Sequence, residues 1–269
     1  MTSVKEHLLR KEEDIQRILS IVLSKTTAEL YASGDYELSS SEERLLEDLV
    51  SKRSQGYPFA YISGEKGFYE DVFRVNENVL IPRPETEMLI EISKKLFTQN
   101  TNKIKILDLG TGSGVIAITL AKIFPNADIF ASDISKKALD IAKLNELEII
   151  KNQRIHFIKS SWFEDIDENN FDLIVSNPPY IEEGDMHLDD LKFEPVNALV
   201  SGKDGLTDIR KISCSANDYL RKNGYLIFEH GYNQANSVYK ILSKKYREIR
   251  QFKDLNNNDR VTLAQRKID

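Results

Sequence analysis

Residues 104–114 read Ile104-Lys105-Ile106-Leu107-Asp108-Leu109-Gly110-Thr111-Gly112-Ser113-Gly114. The mostly apolar run Ile104–Leu109 reads as a buried strand. The next apolar stretch, Val115 to Ile123, has the length and composition of a helix. Three glycines in the turn between them allow tight turning and let a ligand approach the main chain. The helix that opens after Gly114 presents unpaired backbone N–H groups, which favour an anion. Strand, glycine turn and helix in this order form the opening unit of a doubly wound α/β sheet.

Downstream the alternation continues. Strands are predicted at Asp128–Ser132, Arg154–Lys159, Phe171–Ser176, Tyr225–Glu229, Ile249–Lys253 and Arg260–Ala264. Helices are predicted at Lys136–Leu147, Leu206–Leu220 and Asn233–Lys244. With the first strand this makes seven, and the pattern implies a parallel, Rossmann-like α/β domain over residues 101–269. Asp133 closes the second strand, 23 positions after Gly110, a separation that suits an acid on the hydroxyls of a ribose. The turn is G-x-G-x-G rather than the dinucleotide pattern G-x-G-x-x-G, and Asp108 stands two residues ahead of it. A purely structural turn and a nicotinamide pocket remain the alternatives at this point.

Residues 171–180 run from an apolar strand straight into Asn177-Pro178-Pro179-Tyr180. Proline fixes its own φ and lacks an N–H, and it pushes the preceding residue into the extended region. The chain therefore leaves the strand stiff, with carbonyls but no donors at 178 and 179. Asn177 adds a side-chain acceptor and Tyr180 a flat face. Such a corner suits a planar group bearing –NH2, whose two hydrogens find acceptors while its lone pair faces an electrophile. A plain proline-rich turn is the bland alternative. In a doubly wound sheet, ligands bind beyond the carboxyl ends of the strands, and Gly110, Asp133 and Asn177 all lie on that edge. Trp162, just past the third strand, either packs on a nucleobase there or serves as a core aromatic.

Upstream, Val4, Leu8, Ile15, Ile18, Leu19 and Val22 recur near helical spacing. Ser40 with Glu43 fits a capping box opening a further helix. Residues 1–72 are read as a helical bundle. Residues 73–100 are read as a connector with a β-hairpin and a helix from Glu85 to Leu96, bracketed by Pro82 and Pro84. The chain of 269 residues is 41% hydrophobic and 30% charged, as a soluble globular protein would be. It has no apolar run long enough to span a bilayer and no secretory h-region at its start. A cytoplasmic monomer is expected. The net charge of −6 disfavours a protein whose affinity comes from neutralising phosphates. The single cysteine, Cys214, excludes an internal disulfide and a multi-thiolate metal site, and it is expected as a small core residue. The four histidines are scattered, so no metal site is expected.

The glycine turn with Asp108 resembles motif I of the class I S-adenosylmethionine methyltransferases. Asn177–Tyr180 resembles motif IV of methyltransferases acting on exocyclic or amide nitrogens. Local chemistry leaves adenine N6, guanine N2 and the glutamine side chain as acceptors. Further segments narrow the choice: Pro58-Phe59-Ala60-Tyr61-Ile62-Ser63-Gly64, Ile81-Pro82-Arg83-Pro84-Glu85-Thr86-Glu87, Phe193-Glu194-Pro195, Glu229-His230-Gly231 and Asp259-Arg260-Val261-Thr262. Together they resemble the bacterial peptide chain release factor N5-glutamine methyltransferases, the PrmC/HemK family, over nearly the whole chain.

The resemblance implies methyl transfer from S-adenosylmethionine to the glutamine of the Gly-Gly-Gln loop in class 1 release factors, with no nucleic-acid substrate. It carries cofactor contacts onto Asp108, Gly110, Thr111, Gly112, Ser113, Gly114, Asp133, Trp162 and Asn177. Catalytic and substrate contacts fall on Asn177, Pro178, Pro179 and Tyr180, with Pro82 and Arg83 near the acceptor pocket and the N-terminal helices gripping the release factor. Lys192 departs from the family's frequent arginine before Phe193-Glu194-Pro195, keeping the charge but losing the bidentate fork. The competing reading is an N-methyltransferase of DNA adenine or ribosomal RNA guanine.

Overall fold

The protein's structure, a computed structural model, describes residues 2–97 and 103–267. The expected border at 100/101 and the end of the chain at 268–269 lie outside the described residues. The chain divides into two compact units, Met1–Glu65 and Lys66–Asp269.

The first unit contains α1 (Val4–Leu8), α2 (Ile15–Leu23), α3 (Thr27–Ala32), α4 (Ser40–Ser54) and α5 (Phe59–Ser63). Its core is formed by Val4, Ile18, Leu19, Leu30, Leu38 and Leu46. Capping boxes open α1, α3 and α4. That of α4 uses Ser39 and Glu42 rather than Ser40 and Glu43. The run Ser39-Ser40-Ser41-Glu42-Glu43 satisfies the pattern in two registers, and the helix takes the earlier one.

Strand structure begins sooner than the sequence suggests. A two-stranded ribbon of β1 (Glu65–Phe68) and β2 (Asp71–Arg74) turns at Glu70 beside Tyr69, which has φ 55°. A single 3₁₀ turn, Pro84–Thr86, precedes α6 (Glu87–Phe97), because proline suits the first turn of a helix but supplies no N–H.

The second unit then alternates as expected: β3 (Lys105–Leu109), α7 (Val115–Ile123), β4 (Asp128–Asp133), α8 (Lys136–Ile149), β5 (Ile155–Lys159), β6 (Phe171–Ser176), α9 (Thr207–Tyr219), β7 (Leu220–Glu229), α10 (Ala235–Leu242), β8 (Tyr246–Lys253) and β9 (Asp259–Arg266). The seven strands of the main sheet lie in the order β5-β4-β3-β6-β7-β9-β8. The sheet is mixed rather than wholly parallel: β9 runs antiparallel to both β7 and β8. The short turn between β8 and β9 cannot carry the crossover that a parallel pair needs.

Both faces of the sheet are covered. Ile106, Ile129, Leu173 and Val175 face α6 and α7. Leu107, Leu109, Ile174 and Phe228 face α9 and α10. This two-sided burial explains the near-continuous apolar strands. Within α9 the inward set is Ile209, Ile212, Ser213 and Ala216. Cys214 falls on the other face and is exposed, contrary to the core position expected for it. The strand order reverses between β3 and β6, where Leu109 pairs with Ser176. Ser176 donates its hydroxyl to the Leu109 carbonyl at 2.7 Å. The residues that follow, Gly110 and Asn177, are thereby brought to the topological switch point, where such sheets bind ligands.

Candidate active site

Three glycines shape the first wall. Gly110, Gly112 and Gly114 have φ values of 71°, 56° and 85°, a region other residues enter only at a cost. At Gly114 space also decides: a Cβ there would stand 2.9 Å from Ile118 Cδ1 and 3.1 Å from Ala142 Cβ. The turn is fastened to the neighbouring strand, since the N–H groups of Gly110 and Thr111 both donate to the Ser132 carbonyl at 2.9 Å.

Asp108 lies beneath the turn, fully buried. Its Oδ2 accepts from the Thr111 hydroxyl at 2.6 Å and the Ala117 N–H at 3.2 Å. Its Oδ1 has no partner among the described residues. Burial pushes this carboxyl up to about 7, against the two hydrogen bonds. Asp133 holds the next strand end: Oδ2 accepts from Gly112 N–H at 2.9 Å and Oδ1 from Ser135 N–H at 2.8 Å. Burial raises its pKa above the ordinary carboxylate range.

A cavity of about 250 Å³ opens over this edge. It is near the lower end of small-molecule pockets in size. Of the residues singled out from sequence, Gly110, Gly112, Asp133, Trp162, Asn177 and Pro179 line it. Asp108, Thr111, Ser113, Gly114 and Tyr180 are not among the lining residues, and Pro178 adjoins the lining through the peptide unit it shares with Pro179. Ile134, Ser135 and Ala138 extend the wall beyond Asp133, and Leu80 and Pro195 line the cavity from two further segments.

Pro82 is buried and does not line the cavity. The Arg83 guanidinium pairs with Glu194 and also donates to the Ile81 carbonyl at 2.6 Å. Glu194 is itself buried and accepts from the Ile81 N–H at 2.9 Å. The segment after β2 and the loop after β6 are clasped together by this pair. Lys192 is exposed, with its ammonium 5.1 Å from the Phe193 ring.

Asn177 follows the last residue of β6 and turns Nδ2 to Thr86 Oγ1 at 3.0 Å. Thr86 donates to Glu229 Oε2 at 2.7 Å, and Tyr180 donates to Glu229 Oε1 at 3.0 Å. Burial pushes the Glu229 carboxyl up, opposed by the two hydroxyls and the charge of Arg260. The Glu229 charge, with burial, drives the Tyr180 phenol well above its usual range. His230 is fully buried between the Gly231 carbonyl and the Thr262 hydroxyl, both at 2.9 Å. Burial lowers its pKa, so it is a fixture of the sheet end.

Asp208, Lys211 and Ala198 also line the cavity and belong to no motif in the sequence. Trp162 requires a partner for its indole N–H. That requirement is the one clue that an acceptor such as Asp208 exists.

Two family profiles match the chain: the PrmC N-terminal domain over residues 5–64 and the methyltransferase small domain over residues 85–192. The release factor glutamine methyltransferase of Coxiella burnetii is 41% identical over 94% of this chain and 91% of its own length. That of Buchnera aphidicola is 42% identical over 97% of this chain and 94% of its own length. The chain belongs to the release factor glutamine methyltransferase family. Among solved structures, a methyltransferase of Pyrococcus furiosus matches 84% of this chain and 99% of its own, with a TM-score of 0.53 and 17% identity. A 16S rRNA N2 methyltransferase of T. Thermophilus, in complex with AdoMet and guanosine, matches 76% of this chain and 50% of its own, with a TM-score of 0.56 and 17% identity. These likenesses bear on the fold, which is the Rossmann-like methyltransferase fold with a family N-terminal domain ahead of it. Release factor glutamine methyltransferases thus account for both units of the chain. Among the described residues no helix is long and apolar enough to cross a membrane.

Proposed function

We propose that this enzyme transfers a methyl group from S-adenosylmethionine to the side-chain nitrogen of the glutamine in the Gly-Gly-Gln loop of class 1 release factors. The observation that carries the reading is the orientation of Asn177. Its –NH2 is held by Thr86, so Oδ1 is left as an acceptor in a cavity shared with Pro179, Gly110 and Trp162.

The residues present fit the cofactor. Asp108 keeps one buried carboxylate oxygen without a partner, suited to a cation. Asp133 stands at the second strand end, where an acid suits a ribose, and Trp162 offers a flat face over the glycine turn. When bound, the cofactor supplies a methyl group on a positively charged sulfur, an electrophile that needs no activation.

The protein's work falls on the acceptor. An amide nitrogen is a poor nucleophile because its lone pair is delocalised. The Asn177 Oδ1 and the Pro178 carbonyl accept its two N–H groups, raise electron density on nitrogen and aim the lone pair. Orientation of this kind is worth several kcal/mol. The same two oxygens would stabilise the positive charge that develops on the acceptor nitrogen during transfer. The nitrogen then releases a proton to water. No strong base is required, and Glu229 does not act as one, since both its oxygens already receive hydroxyl protons.

In this reading Tyr180 supports the corner, while Pro82 and Arg83 shape the outer wall through the clasp with Glu194. The N-terminal helical unit grips the release factor. The reading carries with it a cytoplasmic enzyme acting as a monomer. The test is incubation with labelled cofactor and, in separate reactions, a class 1 release factor, duplex DNA or ribosomal RNA. Label on the release factor alone is expected; label on nucleic acid alone would reject the reading.

A further inference from the structure

Glu229 ends β7 and is 1% exposed. It does not line the cavity, yet it organises two residues of the acceptor corner that are remote in sequence. Its Oε2 receives the Thr86 hydroxyl and its Oε1 the Tyr180 hydroxyl. A hydroxyl carries a single proton. With that proton placed on the carboxylate, Thr86 Oγ1 can only accept from its other neighbour, Asn177. The carboxamide of Asn177 must then turn its Nδ2 toward Thr86, and the observed contact at 3.0 Å is this one.

We infer that Glu229 is a positioning residue for the transfer: acting through Thr86, it decides which end of the Asn177 carboxamide faces the acceptor. Through Tyr180 it holds the other end of the Asn177–Tyr180 segment. The inference rests on the proposed reading of Asn177 as the group that receives the acceptor –NH2.

Polarity is the physical content. An –NH2 acceptor needs an oxygen opposite it. A carboxamide turned the other way would oppose N–H to N–H and leave the acceptor unbound in the reactive orientation. The carboxylate is the one group at this spot that takes protons from both hydroxyls and offers none. In Glu229→Gln the new –NH2 must donate to one of the two hydroxyls. Where it donates to Thr86, that hydroxyl turns toward Asn177 and the carboxamide reverses. Thr86→Val keeps the shape and removes the relay. Thr86→Ser keeps the relay and removes a methyl group.

The experiment uses the full chain, a class 1 release factor and saturating S-adenosylmethionine, with cofactor affinity and thermal stability measured alongside. Thr86→Val and Glu229→Gln are each expected to lower kcat about 10²-fold, the size of losing one transition-state hydrogen-bonding group. Cofactor affinity should stay within about threefold of wild type, while Thr86→Ser retains kcat within the same margin. The double variant Thr86→Val/Glu229→Gln should be no slower than the slower single variant, because both break one relay. Should Thr86→Val fail to fold, Thr86→Ala against Thr86→Ser gives the same comparison. A folded Thr86→Val or Thr86→Ala enzyme with wild-type kcat, or losses that multiply in the double variant, overturns the inference alone. A wild-type protein that leaves the release factor unmethylated overturns the underlying reading as well.

Discussion

Trp162 donates its indole N–H to Asp208 Oδ1 at 3.0 Å, and this bond holds the ring over Gly110, where an added Cβ would meet it at 3.5 Å. Asp208 is fixed in turn by Ser201, whose hydroxyl donates to Oδ2 and accepts from the Asp208 N–H, both at 2.8 Å. The first turn of α9 therefore sets the position of the aromatic wall. Asp208→Ala leaves the indole N–H unpaired and the ring free to swing. S-adenosylmethionine affinity should fall about tenfold, or about 1.4 kcal/mol, with a smaller effect on the rate at saturation. Calorimetry that finds the affinity unchanged would contradict this role.

Asn177 and Asp133 should separate rate from binding. Asn177→Ala removes the acceptor-orienting oxygen and should lower the saturated rate by about 10²-fold or more. Cofactor binding should stay within a few-fold. Asp133→Ala should do the reverse, weakening cofactor binding with a lesser effect on the saturated rate. A strong loss of cofactor binding in Asn177→Ala would show that Asn177 serves the cofactor instead.

Asp108 gives the cofactor-free protein a pH signature. Its folded pKa is raised from 3.8 to about 7 by burial. Between those values the folded state binds a proton that the unfolded state has lost. The contribution is full below 3.8 and is lost as pH rises to about 7, at about 1.4 kcal/mol per pH unit. Burial shifts Asp133 and Glu229 in the same direction, so a single variant is needed to isolate the effect. Asp108→Asn mimics the protonated form. Urea unfolding should show the variant gaining on the wild type from about pH 4 to about pH 7. A constant difference across that range would exclude the titration.

Gly205 is irreplaceable for a steric reason. It has φ 65°, and a Cβ there would stand 2.2 Å from the Tyr180 carbonyl oxygen and 2.6 Å from Gln234 Nε2. Those two atoms are hydrogen-bonded to each other at 2.9 Å. Gly205→Ala should cost about 2 kcal/mol or more and lower Tm by about 5 °C. It should also slow transfer by displacing the acceptor corner. An unaltered Tm would show that the loop yields without strain.

The strands and the site edge were legible in the sequence because they are periodic. Buried parallel strands are continuous apolar runs, and the prolines at 178 and 179 mark where β6 must end. The limits that the sequence predicts for Phe171–Ser176 are accordingly the observed ones. Cys214 is exposed rather than in the core, although the face of α9 is readable: Ile209, Ile212, Ser213 and Ala216 follow helical spacing and leave Cys214 outside. The antiparallel β9 was not legible, since strand direction depends on connection length and not on composition. Least visible were the polar pairs that fix the site. Thr86 and Glu229 are 143 residues apart, Arg83 and Glu194 111, and Trp162 and Asp208 46. A single polar side chain has no period, and its partner is chosen by the folded topology alone.

Mass spectrometry of a class 1 release factor after incubation with this enzyme and S-adenosylmethionine bears most directly on the central claim. One methyl group on the side-chain nitrogen of the Gly-Gly-Gln glutamine, absent when Asn177→Ala replaces the wild type, is the predicted result. A release factor left unmodified by active, cofactor-bound enzyme, or a methyl group on another residue, would contradict it.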